Sequence, residues 1–339
     1  MKKTDWQSLK ERLSSPLKIV VIPHKNPDGD AMGSCLAWAR YLQKTGHEVK
    51  VIAPNEYPKF LKWMPGDDQV MIYDHAAGHA ERLILAADLL CTLDFNALSR
   101  AGNMLKSLEK AQGEFLMIDH HQQPDDYARY TYSLPHLSST CEMVYGAMKE
   151  LGDLELLDAE MSGCLYAGIM TDTGSFKYPA TTAETHRVVA HLIETGADHS
   201  LIQRLIFDNN SPARLNLLGC ALSNMVQLPE MSTAYMSLSQ EELDAEGYSK
   251  GDTEGFVNYG LSIEGIRFAV LFTENKEEGI IKISFRSIGD FSVNSFAREH
   301  FEGGGHQNAA GGRSRLSLQE TLQRFESLLP PYQKELQSP

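Results

Sequence analysis

Four segments rich in aspartate and histidine appear in order along the first half of the chain, each after an apolar run. The segments are His24-Lys25-Asn26-Pro27-Asp28-Gly29-Asp30, Asp94, Asp119-His120-His121 and Asp172-Thr173-Gly174-Ser175-Phe176. Carboxylate oxygens mixed with imidazole nitrogens suit divalent cations. A pair of such cations catalyses the attack of water on phosphorus. The residue types therefore predict a two-metal site for phosphoester hydrolysis.

The first three segments follow apolar runs that are only a few residues long. These runs are Lys18-Ile19-Val20-Val21-Ile22, Leu89-Leu90-Cys91-Thr92-Leu93 and Phe115-Leu116-Met117-Ile118. Runs this short are typical of buried parallel strands. In a parallel sheet, ligands bind outside the carboxyl ends of the strands. Three strand ends would therefore bring Asp and His side chains into one crevice.

Each acid taken alone has a simpler explanation. Asp30 lies where a helix begins and could be its N-cap. An isolated aspartate after a strand is commonly a helix cap, and we favour that explanation for Asp94 considered by itself. Asp88 precedes the same strand, so only Asp94 can reach the crevice. Asp172 lies in a loop, where an acid is usually just solvated.

The combinations favour a ligand role more strongly than the single residues. A helix cap requires neither His24 nor a second aspartate two residues before Asp30. In Asp119-His120-His121, two adjacent histidines near a strand end should point in roughly opposite directions. One of them could then bind metal, while the other faces substrate or a supporting partner.

The order of predicted elements indicates an α/β protein. The first half alternates strands with helices: strands at 17–22, 48–53, 89–94 and 114–119, and helices at 31–44, 77–87 and 99–111. Such alternation implies right-handed βαβ units and a parallel sheet covered by helices. Apolar residues at helical spacing then predict helices at 139–151, 159–170, 183–195 and 199–207, and Ser211-Pro212 fits the start of another.

The pattern changes near residue 223 to that of a smaller, mixed α/β domain. Strands are predicted at 232–237, 266–272 and 280–285, and a closing helix at 316–329. We therefore expect a catalytic domain at 1–195, a helical linker at 196–222 and a second domain at 223–339. The second domain contains Gly303-Gly304-Gly305-His306, whose backbone N–H groups could approach a phosphate, and Arg286, which could clamp one. A flexible hairpin and a surface arginine are the simpler alternatives.

The amino-acid composition limits the kinds of binding partner that we expect. The 339 residues carry a formal charge of −14, from 31 Lys and Arg against 45 Asp and Glu. Without a basic stripe, a grip on long duplex nucleic acid is not expected. The five cysteines lack metal-binding spacing and predict free thiols in a reducing compartment. With no secretion signal and no apolar stretch of ~20 residues, we expect a cytoplasmic protein without a membrane partner.

The four segments resemble the motifs of the DHH phosphoesterase superfamily, and Gly303-Gly304-Gly305-His306 resembles its DHHA1 companion domain. In its length of 339 residues and its lack of an extra domain, the chain resembles the NrnA group. Those proteins are oligoribonucleases that cleave very short RNA and also dephosphorylate 3′-phosphoadenosine 5′-phosphate (pAp). Proteins of this kind are often labelled exopolyphosphatase-related.

The resemblance implies a role for each site residue, around two divalent metal ions with Mn²⁺ preferred. One ion would be held by His24, Asp28 and Asp94, and the other by Asp30, Asp94, His120 and Asp172. Asp94 would bridge them, Asp119 would support the histidines, and His121 would face the scissile phosphate. The far end of the substrate would be bound by Arg286, Gly304, Gly305 and His306.

Several functions stay open at this point. The leading one is hydrolysis of short oligoribonucleotides and pAp. Linear or cyclic dinucleotides, inorganic polyphosphate and longer single-stranded DNA are rival substrates. A non-catalytic nucleotide-binding module is an alternative of a different class, against which the complete ligand set argues. A homodimer is a further expectation.

Overall fold

The chain forms two compact units in the computed structural model, which describes Met1 and residues 3–337. The first unit is Met1–Asn209 and the second is Asn210–Pro339. The division falls inside the predicted helical linker 196–222. The exact limits of that linker stay a prediction.

The first unit is built on a six-stranded sheet. Its strands are β1 (Lys18–Ile22), β2 (Glu48–Ala53), β3 (Met71–Ile72), β4 (Leu89–Leu93), β5 (Glu114–Asp119) and β6 (Tyr130–Ser133). The order is β3-β2-β1-β4-β5-β6, and every neighbouring pair is parallel. The strand order reverses between β1 and β4, which is where open α/β sheets form their binding crevice.

Helices cover this sheet, as the alternation of elements predicts. They are α1 (Lys3–Arg12), α2 (Gly29–Lys44), α3 (Tyr73–Ala86), α4 (Leu105–Lys110), α5 (Thr140–Leu151), α6 (Ala159–Asp172), α7 (Ala183–Glu194) and α8 (His199–Phe207). The predicted helix 99–111 is wrong in its first half. That half is a 3₁₀ helix, Leu98–Met104, interrupted at Gly102 by a φ of 59°.

Helix α2 is buried along most of its length and packs closely on α6. A Cβ on Gly33 would lie 2.5 Å from the Cys164 carbonyl oxygen, so only glycine permits this approach. At its N-terminus, a Cβ on Gly29 would lie 2.4 Å from Thr171 Oγ1. The start of α2 and the end of α6 are therefore held against each other, which brings the acids at these two helix ends together.

The second unit contains a mixed sheet with helices, which confirms the predicted smaller α/β domain. Its strands are β7 (Val226–Leu228), β8 (Thr233–Leu238), β9 (Phe268–Asn275), β10 (Ile280–Ser287), β11 (Gly304–Gly305) and β12 (Ala309–Ser314), in the order β11-β12-β10-β9-β8-β7. Its helices are α9 (Pro212–Ser223), α10 (Gln240–Ala245), α11 (Val257–Leu261), α12 (Val293–His300), α13 (Leu318–Leu328) and α14 (Gln333–Gln337). Only β8 and β9 are parallel neighbours, and a cluster of phenylalanines fills the core.

The five cysteines are free thiols, four of them buried and Cys220 half-buried. Across Met1 and residues 3–337, no helix combines the length and the apolar character needed to span a bilayer.

Candidate metal centre

The carboxylate of Asp94 lies at the centre of the polar cluster in the first unit. Asp94 follows β4 directly, is 2% exposed and has a φ of 64°, a left-handed conformation that is costly for a residue with a Cβ. Its Oδ2 lies 3.5 Å from His24 Nε2, and its Oδ1 lies 3.6 Å from His120 Nε2. Because each oxygen faces a different histidine, this one carboxylate can serve two cations.

The helix-cap explanation for Asp94 is wrong. The next helical segment is the 3₁₀ helix Leu98–Met104, and its N-cap position is Ala97. Asp94 is instead placed by strand β4 and by a backbone hydrogen bond from its N–H to the Ile118 carbonyl, at 3.0 Å. The residue therefore closes the end of β4 against β5 and turns its carboxylate into the cluster.

Both central histidines present Nε2 to the carboxylates. The Nδ1 of His24 bonds to the Lys25 carbonyl at 2.8 Å, and the Nδ1 of His120 bonds to the Leu137 carbonyl at 3.2 Å. A carbonyl can only accept, so Nδ1 carries the hydrogen and the Nε2 lone pair of the neutral ring is directed at the cluster. Metal-binding histidines are commonly oriented in this way.

Asp28, rather than Asp30, is the N-cap of α2. Asp28 Oδ1 accepts hydrogen bonds from the N–H groups of Asp30 and Ala31 at 3.1 and 3.0 Å. Its Oδ2 faces His24 Nε2 at 3.7 Å. Asp30 is one residue inside the helix and 1% exposed, with Oδ2 3.8 Å from His120 Nε2. The N-cap explanation for Asp30 is therefore wrong, and both aspartates have an oxygen near a histidine.

Asp172 is the last residue of α6, so the expectation of a loop acid is also wrong. Its Oδ2 lies 3.4 Å from His120 Nε2. The helix stops just beyond it because Gly174, Ser175 and Phe176 all adopt positive φ, between 58° and 67°. Two of these three residues carry a Cβ, so the turn after Asp172 is locally strained.

Asp119 holds His121 with two hydrogen bonds. Its Oδ1 accepts from His121 Nδ1 at 2.7 Å, and its Oδ2 accepts from the His121 backbone N–H at 3.0 Å. His121 Nδ1 also lies 3.6 Å from Asp94 Oδ1. The rings of His120 and His121 therefore both approach Asp94, and the prediction that they point in opposite directions is wrong. Strand β5 ends at Asp119, so strand alternation does not extend to these two residues.

The carboxylates of the cluster repel one another and attract positive charge. Burial and the charges of Asp94 and Asp172 raise the pKa of Asp30 well above its usual range. Burial alone would lower the pKa of His120, but the facing carboxylates raise it to about 9. The pKa of His24 is likewise raised to about 10 by facing carboxylates, against the effect of burial. Divalent ions bound among these carboxylates would stabilise their ionised forms and displace protons from the two rings.

The distances also fit metal ligation. The nitrogen–oxygen separations of 3.4–3.8 Å around His24 and His120 exceed the roughly 2.7–3.2 Å of ordinary N–H···O hydrogen bonds. Two metal–ligand bonds of about 2.1 Å at a tetrahedral angle place their ligand atoms about 3.4 Å apart. Among the described residues of the first unit, three groups have ligand atoms within 4.8 Å of one another: His24, Asp28 and Asp94; Asp30, His120 and Asp172; and Asp94, Asp119 and His121.

Comparison with known proteins agrees with this geometry. A solved exopolyphosphatase-related protein from Bacteroides fragilis superposes with a TM-score of 0.95, at 39% identity over 99% of this chain and 98% of that one. The bifunctional oligoribonuclease and PAP phosphatase NrnA of Thermus thermophilus is 31% identical over 94% of this chain and 90% of its own. The model of the DHH family, N-terminal domain, matches residues 18–169, and that of the DHHA1 domain matches residues 231–330.

This chain belongs to the DHH family. It is a phosphoesterase, and the prediction of an enzyme is confirmed. A more distant relative, the cyclic-di-AMP phosphodiesterase GdpP of Bacillus subtilis, is 25% identical over 96% of this chain and 49% of its own length.

The sequence patterns did not identify one part of this DHH centre, the N-terminus of α5. The backbone N–H groups of Thr140 and Cys141 donate to the two oxygens of Asp30 at 2.6 and 2.8 Å. The Thr140 hydroxyl donates to Asp94 Oδ1 at 2.9 Å. The available signal is the run Ser138-Ser139-Thr140-Cys141-Glu142, in which a serine N-cap is followed by a glutamate three residues later. That signal marks a helix start but names no partner.

The remaining predicted site residues lie in the DHHA1 unit. Gly304 and Gly305 form the short strand β11, which pairs antiparallel with β12, so the glycine run is part of a hairpin. The Gly305 N–H donates to Asn294 Oδ1 at 3.1 Å, and the His306 N–H donates to the Ala309 carbonyl at 2.7 Å. Arg286 lies on β10, half-buried, and its guanidinium donates to the Phe285 carbonyl at 3.0 Å.

Proposed function

We propose that this DHH protein hydrolyses short oligoribonucleotides and pAp with the help of two divalent cations, Mn²⁺ preferred. The observation that carries the proposal is the placement of Asp94, whose two oxygens face two different histidines at 3.5 and 3.6 Å. The substrate class is supported by similarity over nearly the whole chain to a protein named as an oligoribonuclease and PAP phosphatase.

The ligand set follows from the two groups of side chains that meet at Asp94. In this proposal one ion is held by His24, Asp28 and Asp94, and the second by Asp30, Asp94, His120 and Asp172. Mixed imidazole and carboxylate donors suit Mn²⁺ better than Mg²⁺, which favours oxygen ligands alone. Bound in this way, two such ions would polarise phosphoryl oxygens and make water a stronger nucleophile at neutral pH.

The protein's own side chains contribute orientation and hydrogen bonding. Asp119 binds the Nδ1–H and the backbone N–H of His121, which sets the orientation of this ring. In the proposal, His121 Nε2 bonds to an oxygen of the scissile phosphate and offsets charge that develops there. Burial and the charge of Asp94 raise the pKa of Asp119 to about 7.

The proposed anchor for the far end of the substrate is a small set of residues in the DHHA1 unit: Arg286, Gly304, Gly305 and His306. Arginine binds phosphate with paired hydrogen bonds, and a glycine allows close approach to its backbone. Few cations suffice because a dinucleotide or pAp carries few phosphates. A formal charge of −14 is consistent with such a substrate and unfavourable for long polyanions.

Two rival substrates are supported by specific similarities. The GdpP relative is named for cyclic-di-AMP, but the chain spans about half of its length. The B. fragilis structure is described as exopolyphosphatase-related. Linear or cyclic dinucleotides and polyphosphate are therefore the alternatives to test. A homodimer and a cytoplasmic location stay predictions.

The test is a substrate panel on chelator-treated protein with Mn²⁺ or Mg²⁺ restored. The panel contains pAp, RNA of two to five nucleotides, cyclic dinucleotides and polyphosphate. We expect the highest kcat/KM on pAp and on the shortest RNA, higher rates with Mn²⁺, and no turnover without a divalent ion. Preferred cleavage of cyclic dinucleotides or polyphosphate would overturn the substrate assignment, and turnover in excess chelator would overturn the metal assignment.

A further inference from the structure

Helix α5 begins directly against the two most buried carboxylates among the proposed metal ligands. Asp30 and Asp94 are 1% and 2% exposed. Both oxygens of Asp30 accept backbone N–H groups of the first turn of α5, from Thr140 and Cys141. An N-terminal turn stabilises a nearby anion through its N–H groups and the helix dipole. The turn thus stabilises the ionised form of Asp30 and sets its orientation.

The hydroxyl of Thr140 makes the second contact. It donates to Asp94 Oδ1 at 2.9 Å, and the same oxygen lies 3.6 Å from Nε2 of His120. A donor on one oxygen sets the rotation of the carboxylate about its Cβ–Cγ bond. With Oδ1 held in this way, Oδ2 faces His24. The division of the two oxygens between two histidines therefore depends on this hydroxyl.

Thr140 is itself held rigidly. It is fully buried, and the turn before it is tied to Glu142, which is 4% exposed. Glu142 Oε2 accepts from the backbone and hydroxyl of Ser138 and, at 3.1 Å, from the hydroxyl of Thr185 on α7. Ser139 caps α5 by accepting from the Glu142 N–H. The Thr140 hydroxyl is therefore positioned by a network anchored in two helices.

We propose that Thr140 is a positioning residue for the metal centre, whose hydroxyl orients the shared carboxylate of Asp94 so that it can bind both cations. The inference rests on the proposed two-metal function. Hydrogen-bond partners of metal ligands commonly change metal affinity 10- to 100-fold when they are removed. Thr140 has a further property that makes it testable: its backbone N–H serves Asp30 and its hydroxyl serves Asp94, so a side-chain change separates the two contacts.

The experiment compares Thr140→Val, which replaces the hydroxyl by a methyl group, with Thr140→Ser, which retains a hydroxyl. Thr321→Val is the matched control, because Thr321 is also fully buried and hydrogen-bonded through its hydroxyl, but lies in the second unit. Mn²⁺ affinity is measured by calorimetry on chelator-stripped protein, together with the Tm of the metal-free form. The affinity measurement does not depend on turnover.

We expect Thr140→Val to weaken Mn²⁺ binding about 10- to 100-fold, with Thr140→Ser within about threefold of the wild type. Thr321→Val should bind Mn²⁺ like the wild type, whatever it does to Tm. If Thr140→Val does not fold, Thr140→Ala must show the same loss of affinity. Wild-type affinity in the folded Val or Ala variant, or equal loss in the Ser variant, would overturn the inference.

Asp94→Asn separates failure of this inference from failure of the proposed function. Loss of Mn²⁺ binding in Asp94→Asn together with wild-type affinity in Thr140→Val would overturn only the role of Thr140. Unchanged Mn²⁺ binding in Asp94→Asn would overturn the metal centre, and the role of Thr140 with it.

Discussion

The two units present their candidate functional residues in different ways. In the first unit, charged side chains converge on Asp94. Their burial adds little to the stability of the fold unless they bind a cation. In the second, Gly303 and Gly305 also have a packing role. A Cβ on Gly303 would lie 2.1 Å from the Gly311 carbonyl oxygen, and one on Gly305 would lie 2.4 Å from that of Ala309. The glycine run is thus explained partly by strand pairing, whereas packing does not explain the acidic cluster.

In the first unit a predicted site residue itself carries a conformational cost, whereas the non-glycine residues with positive φ in the second unit, Ser232 and Glu302, are not predicted site residues. Asp94 adopts a left-handed conformation, which costs about 1–3 kcal/mol for a residue with a side chain. It also lies close to Asp30 and Asp172, whose charges repel it. Such costs persist where the surrounding structure enforces them, here the buried helix α2 and the N-terminus of α5. A costly polar cluster is therefore a stronger functional signal than a run of glycines.

A substitution at Asp94 is the most direct test of the difference between the two units. Asp94→Asn should lower kcat/KM on pAp at least about a thousandfold, because loss of several kcal/mol of metal-dependent stabilisation is expected. Its Tm in the metal-free state should not fall, since a repelling charge is removed. Asp88→Asn is the control at the opposite end of β4, where the Asp88 side chain accepts the Lys18 N–H. Near-wild-type turnover of Asp94→Asn with Mn²⁺ would refute the assignment.

Arg286 tests whether the second unit binds substrate. Arg286→Ala should cost roughly 1.5–3 kcal/mol, about ten- to a hundredfold in kcat/KM, on pAp and dinucleotides. The loss should be smaller on bis-p-nitrophenyl phosphate, which has no distant phosphate to anchor. Arg313→Ala is the control, an exposed arginine on β12 that pairs with Glu302. Equal losses on both substrates would assign Arg286 to the fold or the chemistry.

Substitutions at Gly304 and Gly305 distinguish a packing role of the glycine run from a substrate-binding role. Gly305→Ala should destabilise the second unit by about 1–3 kcal/mol because its Cβ would overlap the backbone of β12. Gly304→Ala should be nearly neutral for stability, since the closest atom to its Cβ would be Arg298 Nε at 3.5 Å. Denaturation midpoints measure both. A rise in KM for pAp in Gly304→Ala without loss of stability would favour substrate binding there, and an undisturbed Gly305→Ala would argue against the packing explanation.

Metal binding in the first unit should also depend on pH. The pKa values of about 10 for His24 and about 9 for His120 mean that both rings are protonated at pH 7 before metal binds. Metal must displace these protons, so affinity should fall as pH falls from 8 to 6, by about tenfold per pH unit for each proton released. Calorimetry in buffers of different ionisation enthalpy counts the protons. Binding without proton release would show that both rings are neutral before metal binds, against the raised pKa values.

The fold class and the position of the centre were predictable from local patterns. Strands β1, β4 and β5 are short apolar runs, and their carboxyl ends carry His24, Asp94 and Asp119. The rule that parallel strands meet ligands at one edge then suffices to bring these residues together. Strands β3, β6, β7 and β11 were not predicted, because two to four residues are too few for a periodic pattern. Strand β12 was not predicted because Gly311 and Gly312 weaken its strand pattern.

The sequence by itself thus determined which residue types follow which strands, since burial and period are local properties of the chain. Only the tertiary structure decided how their atoms are directed. It made Asp28 the cap instead of Asp30, turned His120 and His121 toward the same carboxylate, and placed Thr140 against Asp94. Thr140 is 46 residues from Asp94 along the chain. A hydrogen bond across that separation depends on how α5 packs against the sheet, which no local pattern contains.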